Sequence, residues 1–190
     1  MYQKYHTEAL ILGSVERGES DRLFTLYTRD FGLVRARASA VRSERSRMRY
    51  ALQHYARAHV SLVRGKRGWR LAGASAIQSV TKAGKGTSAF ARIAELVRRL
   101  VAGEEENMYL YEALAEAHHA LMSDDEAISP VVEIVCVARM LYALGYISNE
   151  ALQTALFTHT AYTGESLLEA ETMKDKLLSS INKALTEAQL

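Results

Sequence analysis

Between Thr7 and about Ile77, apolar and polar positions alternate in short runs separated by turns, and a helical period shows only near Ser46 to Gln53. Alternation with a period of two puts successive side chains on opposite faces of a sheet. The runs Ala9–Val15, Leu23–Thr28, Leu33–Ala40, Tyr55–Val63 and Trp69–Ile77 are therefore predicted as five strands. Asp30-Phe31-Gly32 and Gly65-Lys66-Arg67-Gly68 supply compact hairpin connections, with glycine where a positive φ is useful. Five strands at this spacing predict a small closed β-barrel over residues 1–80.

After Val80 the period changes. Thr81–Ser88 (TKAGKGTS) reads as a flexible linker, and residues 89–190 read as an α-helical bundle of four or five helices, so the chain is predicted to be an α+β protein of two domains. Phe90, Ile93, Val97 and Leu100 form one helical stripe, with Thr87 or Ser88 as its cap and Gly103 as its end. A second helix is expected from about Asn107 to Met122. Ser129-Pro130 reads as a helix start whose serine caps, and Gly145 as that helix's end. Ser148 and Asn149 open a shorter helix, and Leu177, Leu178, Ile181, Ala184 and Leu185 mark a last one.

The 190 residues are 48% apolar, enough for a packed core. No run of about 18 apolar residues occurs, and Met1–Leu12 lacks a basic segment followed by a long apolar one, so neither a membrane span nor a secretory signal is expected and the cytoplasm is the default location. The single cysteine, Cys136, leaves no partner for an internal disulfide and no thiolate set for zinc. Its setting in the apolar run Val131–Leu144 predicts a buried helical thiol with no chemistry.

Charge divides the chain more sharply than hydropathy does. Met1–Val80 holds 15 Lys or Arg against 6 Asp or Glu, and Thr81–Leu190 holds 9 against 16, so the whole-chain charge of +2 conceals a strongly basic part and an acidic one. On the third predicted strand Arg35 and Arg37 share one face, and Val34, Ala36 and Ala38 share the other. Val41–Tyr50 then carries Arg42, Arg45, Arg47 and Arg49 with only Glu44 to oppose them. Together with Arg64, Lys66, Arg67 and Arg70 these residues make a cationic track, and Trp69, Tyr50, Tyr55 and Phe31 are flat side chains that could stack on bases or fill the barrel.

Catalytic patterns fail on inspection. Ser79-Val80-Thr81-Lys82 has the spacing of a Ser–Lys nucleophile pair but lacks the companion motifs and the helix start. Gly84-Lys85-Gly86-Thr87 is not a phosphate loop, because Ser79 stands where the first glycine belongs and Gly86 follows the lysine. Asp30-Phe31-Gly32 is a turn, and the six histidines have no metal-ligand spacing. No enzyme, metal or cofactor is expected.

Several segments, in order, resemble the bacterial recombination mediator family RecO. They are Thr7-Glu8-Ala9, Arg17-Gly18-Glu19-Ser20-Asp21-Arg22-Leu23, Phe31-Gly32-Leu33, Ser46-Arg47-Met48-Arg49 with Leu52-Gln53-His54-Tyr55, and Arg64-Gly65-Lys66 with Leu71. His54 stands where that family usually has proline. Beyond the linker, Leu141-Tyr142-Ala143-Leu144-Gly145-Tyr146 is similar to a family element, but the proline and cysteine cluster that follow it in many members are absent, so no zinc is expected.

The resemblance implies an N-terminal oligonucleotide-binding (OB) barrel joined to a helical protein-interaction domain in a cytoplasmic, nucleoid-associated protein. It implies binding of single- and double-stranded DNA, annealing of complementary strands, and help in loading RecA on DNA coated with single-stranded DNA-binding protein (SSB). The implied partners are RecR, the acidic SSB C-terminal tail, RecA and in some members RecF, with no membrane and no small-molecule substrate. Arg92, Arg98, Arg99 and Arg139 are the helical-segment cations that would suit such a tail, although none lies on a matched motif. Two other readings fit the residues: an RNA-binding OB-fold module with a helical interaction domain, and an adaptor whose basic barrel grips an acidic protein.

Overall fold

The computed structural model describes residues 3–43, 46–80, 83–123 and 127–188. Five strands, β1 (Lys4–Arg17), β2 (Asp21–Thr28), β3 (Gly32–Ala38), β4 (Arg57–Gly65) and β5 (Gly68–Gln78), close into a barrel in the order β1-β2-β3-β5-β4. A short helix, α1 (Met48–Ala51), falls between β3 and β4. All neighbours are antiparallel except β3 and β5, which pair in parallel at Ala36↔Trp69 and Arg37↔Arg70.

Closure depends on the length of β1. Its first half, Lys4–Leu10, pairs with β4, and Ala9–Arg17 pairs with β2. The register shifts between Ile11 and Gly13, just past the point where the strand changes partners, as expected of an irregularity that bends a strand around a barrel. Alternation sends Ala9, Ile11, Phe24, Leu26, Val34, Ala36, Ala38, Val60, Leu62, Trp69 and Leu71 into one core, completed by Val41 and Leu52 from the β3–β4 connection. Two predicted strand ends move for a conformational reason. Ala40 (φ 52°) and Tyr55 (φ 65°) are in the left-handed region, so β3 stops at Ala38 and β4 starts at Arg57.

Residues 102–107 group with the barrel rather than with the helices around them in sequence. The Leu33 N–H donates to the Gly103 carbonyl at 3.3 Å. Gly32, at φ 59°, lies so close to this segment that a Cβ would be 2.1 Å from the Glu105 carbonyl oxygen. Glycine is required there on both counts.

The second unit, residues 83–101 and 108–190, is helical among its described residues. It contains α2 (Lys85–Leu100), α3 (Met108–Leu121), α4 (Ser129–Ala143), the single turn α5 (Asn149–Leu152), α6 (Gly164–Thr172) and α7 (Lys174–Glu187). α4 is the central helix, packing against α2, α3, α6 and α7. The expected stripes are buried at Phe90, Ile93 and Val97 and again at Leu177, Ile181 and Ala184.

Three details of this unit differ from the sequence reading. α2 begins at Lys85, inside the segment expected to be linker, so Thr87 and Ser88 are helical rather than caps. Gly86 lies in this first turn, and its missing side chain lets α2 approach the end of α3; a Cβ there would be 1.8 Å from the Leu121 carbonyl oxygen. Ser129 lies one position inside α4, whose cap is Ile128. α6 was not expected at all, because only Ser166 and Ala170 are buried on it and no apolar stripe announces it; its signal is the cap Thr163, whose hydroxyl accepts the Ser166 N–H at 3.3 Å.

Among the described residues no helix is long and apolar enough to cross a membrane. Gly18 and Gly32 provide a stability test, since both have positive φ but nothing lies within 4 Å of a Cβ at Gly18. Gly18→Ala is expected to cost about 1–2 kcal/mol from backbone strain alone. Gly32→Ala is expected to cost a further ~1–3 kcal/mol of overpacking against Glu105. Chemical denaturation of the two variants checks this, and equal losses would show that the 102–107 segment yields freely.

Candidate nucleic-acid interface

β3 carries out the division its sequence announces: Val34, Ala36 and Ala38 are buried, and Arg35 and Arg37 are exposed. Strand partners share a face, so the pairs Arg37↔Leu23 and Arg37↔Arg70 place Arg37 and Arg70 side by side on the outside of the barrel. Two like charges there repel, and Asp21 on β2 offsets the repulsion. Its Oδ2 accepts the Arg37 Nε–H at 2.8 Å, and its Oδ1 accepts the Ala40 N–H at 2.8 Å. The Ala40 N–H first, then Arg37, hold this carboxyl below its ordinary value of 3.8. Asp21 thus ties the left-handed turn after β3 to an arginine of the exposed face.

The β4–β5 hairpin completes the surface. Gly65 pairs with Gly68, which has φ 96°, so only Lys66 and Arg67 form the loop and both project from a tight turn. Arg37, Lys66, Arg67 and Arg70 line a groove of about 450 Å³ together with Ser39, Val63 and Trp69, and no carboxylate among the described residues lines it. Among the described residues no ion pair engages Arg35, Lys66, Arg67 or Arg70.

The remaining predicted cations are divided differently. Arg42 pairs with Glu16 at 3.3 Å, and Glu16 also holds Arg22 at 3.3 Å. Arg42, Arg22 and Arg49 line a smaller pocket of about 260 Å³ beside α1. Arg49 lies over the Tyr50 ring at 4.8 Å, and Arg47 is exposed at the start of α1. Arg64 pairs with Glu104 at 3.0 Å and lies 5.0 Å over the Trp69 ring. Arg45 lies outside the described residues.

Most of the aromatic side chains are interior. Trp69 is 5% exposed and meets Tyr5 and Phe31 with centroids 5.5 and 5.3 Å away, so Trp69 belongs to the barrel core and the partly buried Phe31 packs against it. Tyr55 is half-buried against His54. Tyr50 alone of the four is fully available, at 58% exposure.

In the helical unit the four arginines do not form one patch. Arg92 makes a two-pronged pair with Glu133, both contacts at 2.6 Å, and Arg98 pairs with Glu95 at 3.1 Å. Arg99 is exposed and without an ion pair among the described residues. Arg139 is not a surface residue: fully buried, it donates to the carbonyls of Leu156 (2.8 Å), Thr160 (2.7 Å) and Ala161 (3.1 Å), with the Tyr162 ring 4.6 Å away. Burial pushes the neighbouring Cys136 thiol up to about 12, which leaves it protonated. Among the described residues no three His, Cys, Asp or Glu side chains converge.

Sequence reasoning missed the acids that organise the cations. Asp21 and Glu16 come from the ends of the β1–β2 hairpin, and Glu8 on β1 takes the Arg57 guanidinium at 2.6 Å across the β1–β4 pair. Their legible signal is that acidic positions on one strand fall opposite or beside basic ones on the next. That signal needs the strand register to be used.

A five-stranded barrel of this order, with a helix between its third and fourth strands and a cationic groove on its outer face, is an OB fold. Residues 1–80, the barrel, match the family described as "Recombination protein O N terminal". The chain is 45% identical over 62 residues to the DNA repair protein RecO of Desulfitobacterium hafniense, covering 33% of this chain and 23% of that one. It is 34% identical over 129 residues to the DNA repair protein RecO of Myxococcus xanthus, covering 66% of this chain and 52% of that one. The matched region thus spans about a quarter to a half of these relatives' own lengths.

Asp21 gives a pH test. A carboxyl held below its unfolded value adds stability above that value and loses it as pH falls through the folded one. The stability difference between wild type and Asp21→Asn is therefore expected to be present near neutral pH and to vanish as pH drops below 3.8. Denaturant unfolding of both proteins across pH 3 to 7 measures it, and a difference independent of pH would detach Asp21 ionisation from the fold.

Proposed function

We propose that this protein takes part in DNA repair and homologous recombination by binding single- and double-stranded DNA on the barrel, annealing complementary strands and assisting RecA loading on SSB-coated DNA. The observation that carries this reading is the groove of Arg37, Lys66, Arg67 and Arg70, which has four cations and, among the described residues, no carboxylate in its lining. Such a surface neutralises phosphates whatever the base sequence. Two strands that repel each other in solution can then approach, and base pairing supplies the specificity. The relatives' name, DNA repair protein RecO, supports the same role.

The proposed role requires no bond to be made or broken by the protein. RecR, the SSB tail, RecA and in some settings RecF are the proposed protein partners, with no membrane and no small-molecule substrate. For the acidic tail, Arg99 is the best placed of the helical arginines, because Arg92 and Arg98 already hold carboxylates and Arg139 is interior. The proposed DNA-binding part is residues 1–80 and the proposed protein-binding part residues 89–190, with 81–88 between them.

Binding of a labelled oligonucleotide is expected to weaken steeply with added salt. Reversal of Lys66, Arg67 and Arg70 to Glu is expected to flatten the slope of log K against log salt by about 2, roughly 0.7 for each lost contact to a single strand. An unchanged slope would remove the groove from the mechanism. Annealing of two complementary fluorescent strands, bare and SSB-coated, is expected to fall at least tenfold in that variant. A parallel reversal of Arg45, Arg47 and Arg49 shows whether the α1 side also takes part. Tighter binding to matched RNA than to DNA would favour the RNA-binding module instead.

A further inference from the structure

The charged strap at residues 102–107 carries Glu104, Glu105 and Glu106 against a barrel whose exposed face is basic. Its backbone is anchored at the start of β3, through the Leu33–Gly103 hydrogen bond and the close approach of Glu105 to Gly32. From that fixed position the Glu104 carboxylate reaches Arg64, and Arg64 lies over the indole of Trp69. The three side chains form a stack from acid to cation to ring.

Trp69 has two unusual properties. It lines the cationic groove, and its Nε1–H is buried with no hydrogen-bond partner among the described residues. A buried indole normally finds an acceptor, because an unmade hydrogen bond costs about 1–3 kcal/mol. Tyr5 and Phe31, packed against the core, meet the ring edge-on and tilted, whereas Arg64 over its face has a side chain that is itself 61% exposed. Arg64 can therefore leave by rotating its own side chain, without disturbing the core.

The forces holding it are small. An exposed Arg–Glu pair is worth about 0–1 kcal/mol, and a cation over an indole at an exposed site adds about 0.5–1 kcal/mol. A strand whose phosphates already lie on Lys66 and Arg67, two and three residues further on, competes for Arg64 on better terms than one carboxylate does.

We propose that Glu104 is a built-in phosphate mimic that parks Arg64 over Trp69, and that a nucleic-acid strand displaces it, taking Arg64 onto a phosphate and uncovering Trp69 as a base-contacting residue. The proposal deepens the nucleic-acid reading of the groove and rests on it. It makes the strap a brake on binding that is set by charge and therefore weakens as salt rises.

Trp69 is the chain's single tryptophan, so its fluorescence reports the site directly. Full-length wild type, Glu104→Gln, Arg64→Ala and Glu106→Gln are titrated with a dye-labelled thymidine oligonucleotide, following anisotropy of the dye and emission of Trp69, with acrylamide quenching before and after. Glu106→Gln makes the same charge change at an exposed strap position that has no ion pair among the described residues.

Glu104→Gln is expected to bind about two- to fivefold more tightly than wild type at low salt, with the advantage lost at high salt. Glu106→Gln is expected to change little. Arg64→Ala is expected to raise acrylamide quenching in the free protein, and oligonucleotide is expected to change Trp69 emission in wild type. Equal affinities of wild type and Glu104→Gln, or saturated binding with an unmoved Trp69 signal, would overturn the brake and leave the groove reading standing. No binding by wild type at any salt would overturn the groove reading and the brake together.

Discussion

The short parallel pairing of β3 with β5, at Ala36↔Trp69 and Arg37↔Arg70, is the constraint on which the rest of the barrel depends. Without it β1 to β5 would be an open sheet with two edges, and alternation would not decide which face is inside. Closure makes the decision absolute. Ala36 and Trp69 turn inward together, and Arg37 and Arg70 turn outward together, because paired residues share a face. The core and the cationic groove are two consequences of one register.

Putting many cations on one small surface creates a repulsion that the fold relieves locally rather than by lowering the net charge. Asp21, Glu16, Glu8 and Glu104 each take an arginine, and each sits on an element already fixed by backbone pairing. The exposed pairs of Glu16 with Arg42 and of Glu104 with Arg64 contribute only about 0–1 kcal/mol apiece, so they orient guanidinium groups without locking them away from a competing anion. Lys66, Arg67 and Arg70 have no such pair among the described residues and form the part of the groove that is ready to act.

The helical unit applies the opposite solution to its own arginine. Arg139 is buried on α4, where three backbone carbonyls and a tyrosine ring replace a carboxylate. A buried guanidinium is tolerable only if its donors are satisfied, and here the satisfied donors tie the irregular segment between α5 and α6 to the central helix. Removing the side chain would leave Leu156, Thr160 and Ala161 without those donors. The same residue type is thus a surface cation in one unit and an internal strut in the other.

The chain's two-part architecture was legible from local pattern alone. Period two before Val80 and a helical period after it predict five strands and then helices, and Val34-Arg35-Ala36-Arg37 shows which arginines face outward, because alternation is a local property of the strand. What pattern could not supply is whatever depends on residues distant in sequence. Trp69 and Phe31 are as suited to stacking on bases as to filling a core, and only the closure that brings them onto Tyr5 buries Trp69 and half-buries Phe31. Arg139 reads as one more cation until the chain past Leu156 folds back onto it. α6 has too little buried surface to leave a stripe, and Glu104 lies some 40 residues from the arginine it holds. Sequence by itself determined the five strands, the helices that carry an apolar stripe, the sign of the charge and the face on which most of it lies; tertiary structure decided which cations are paired, because pairing is set by register and chain return rather than by composition.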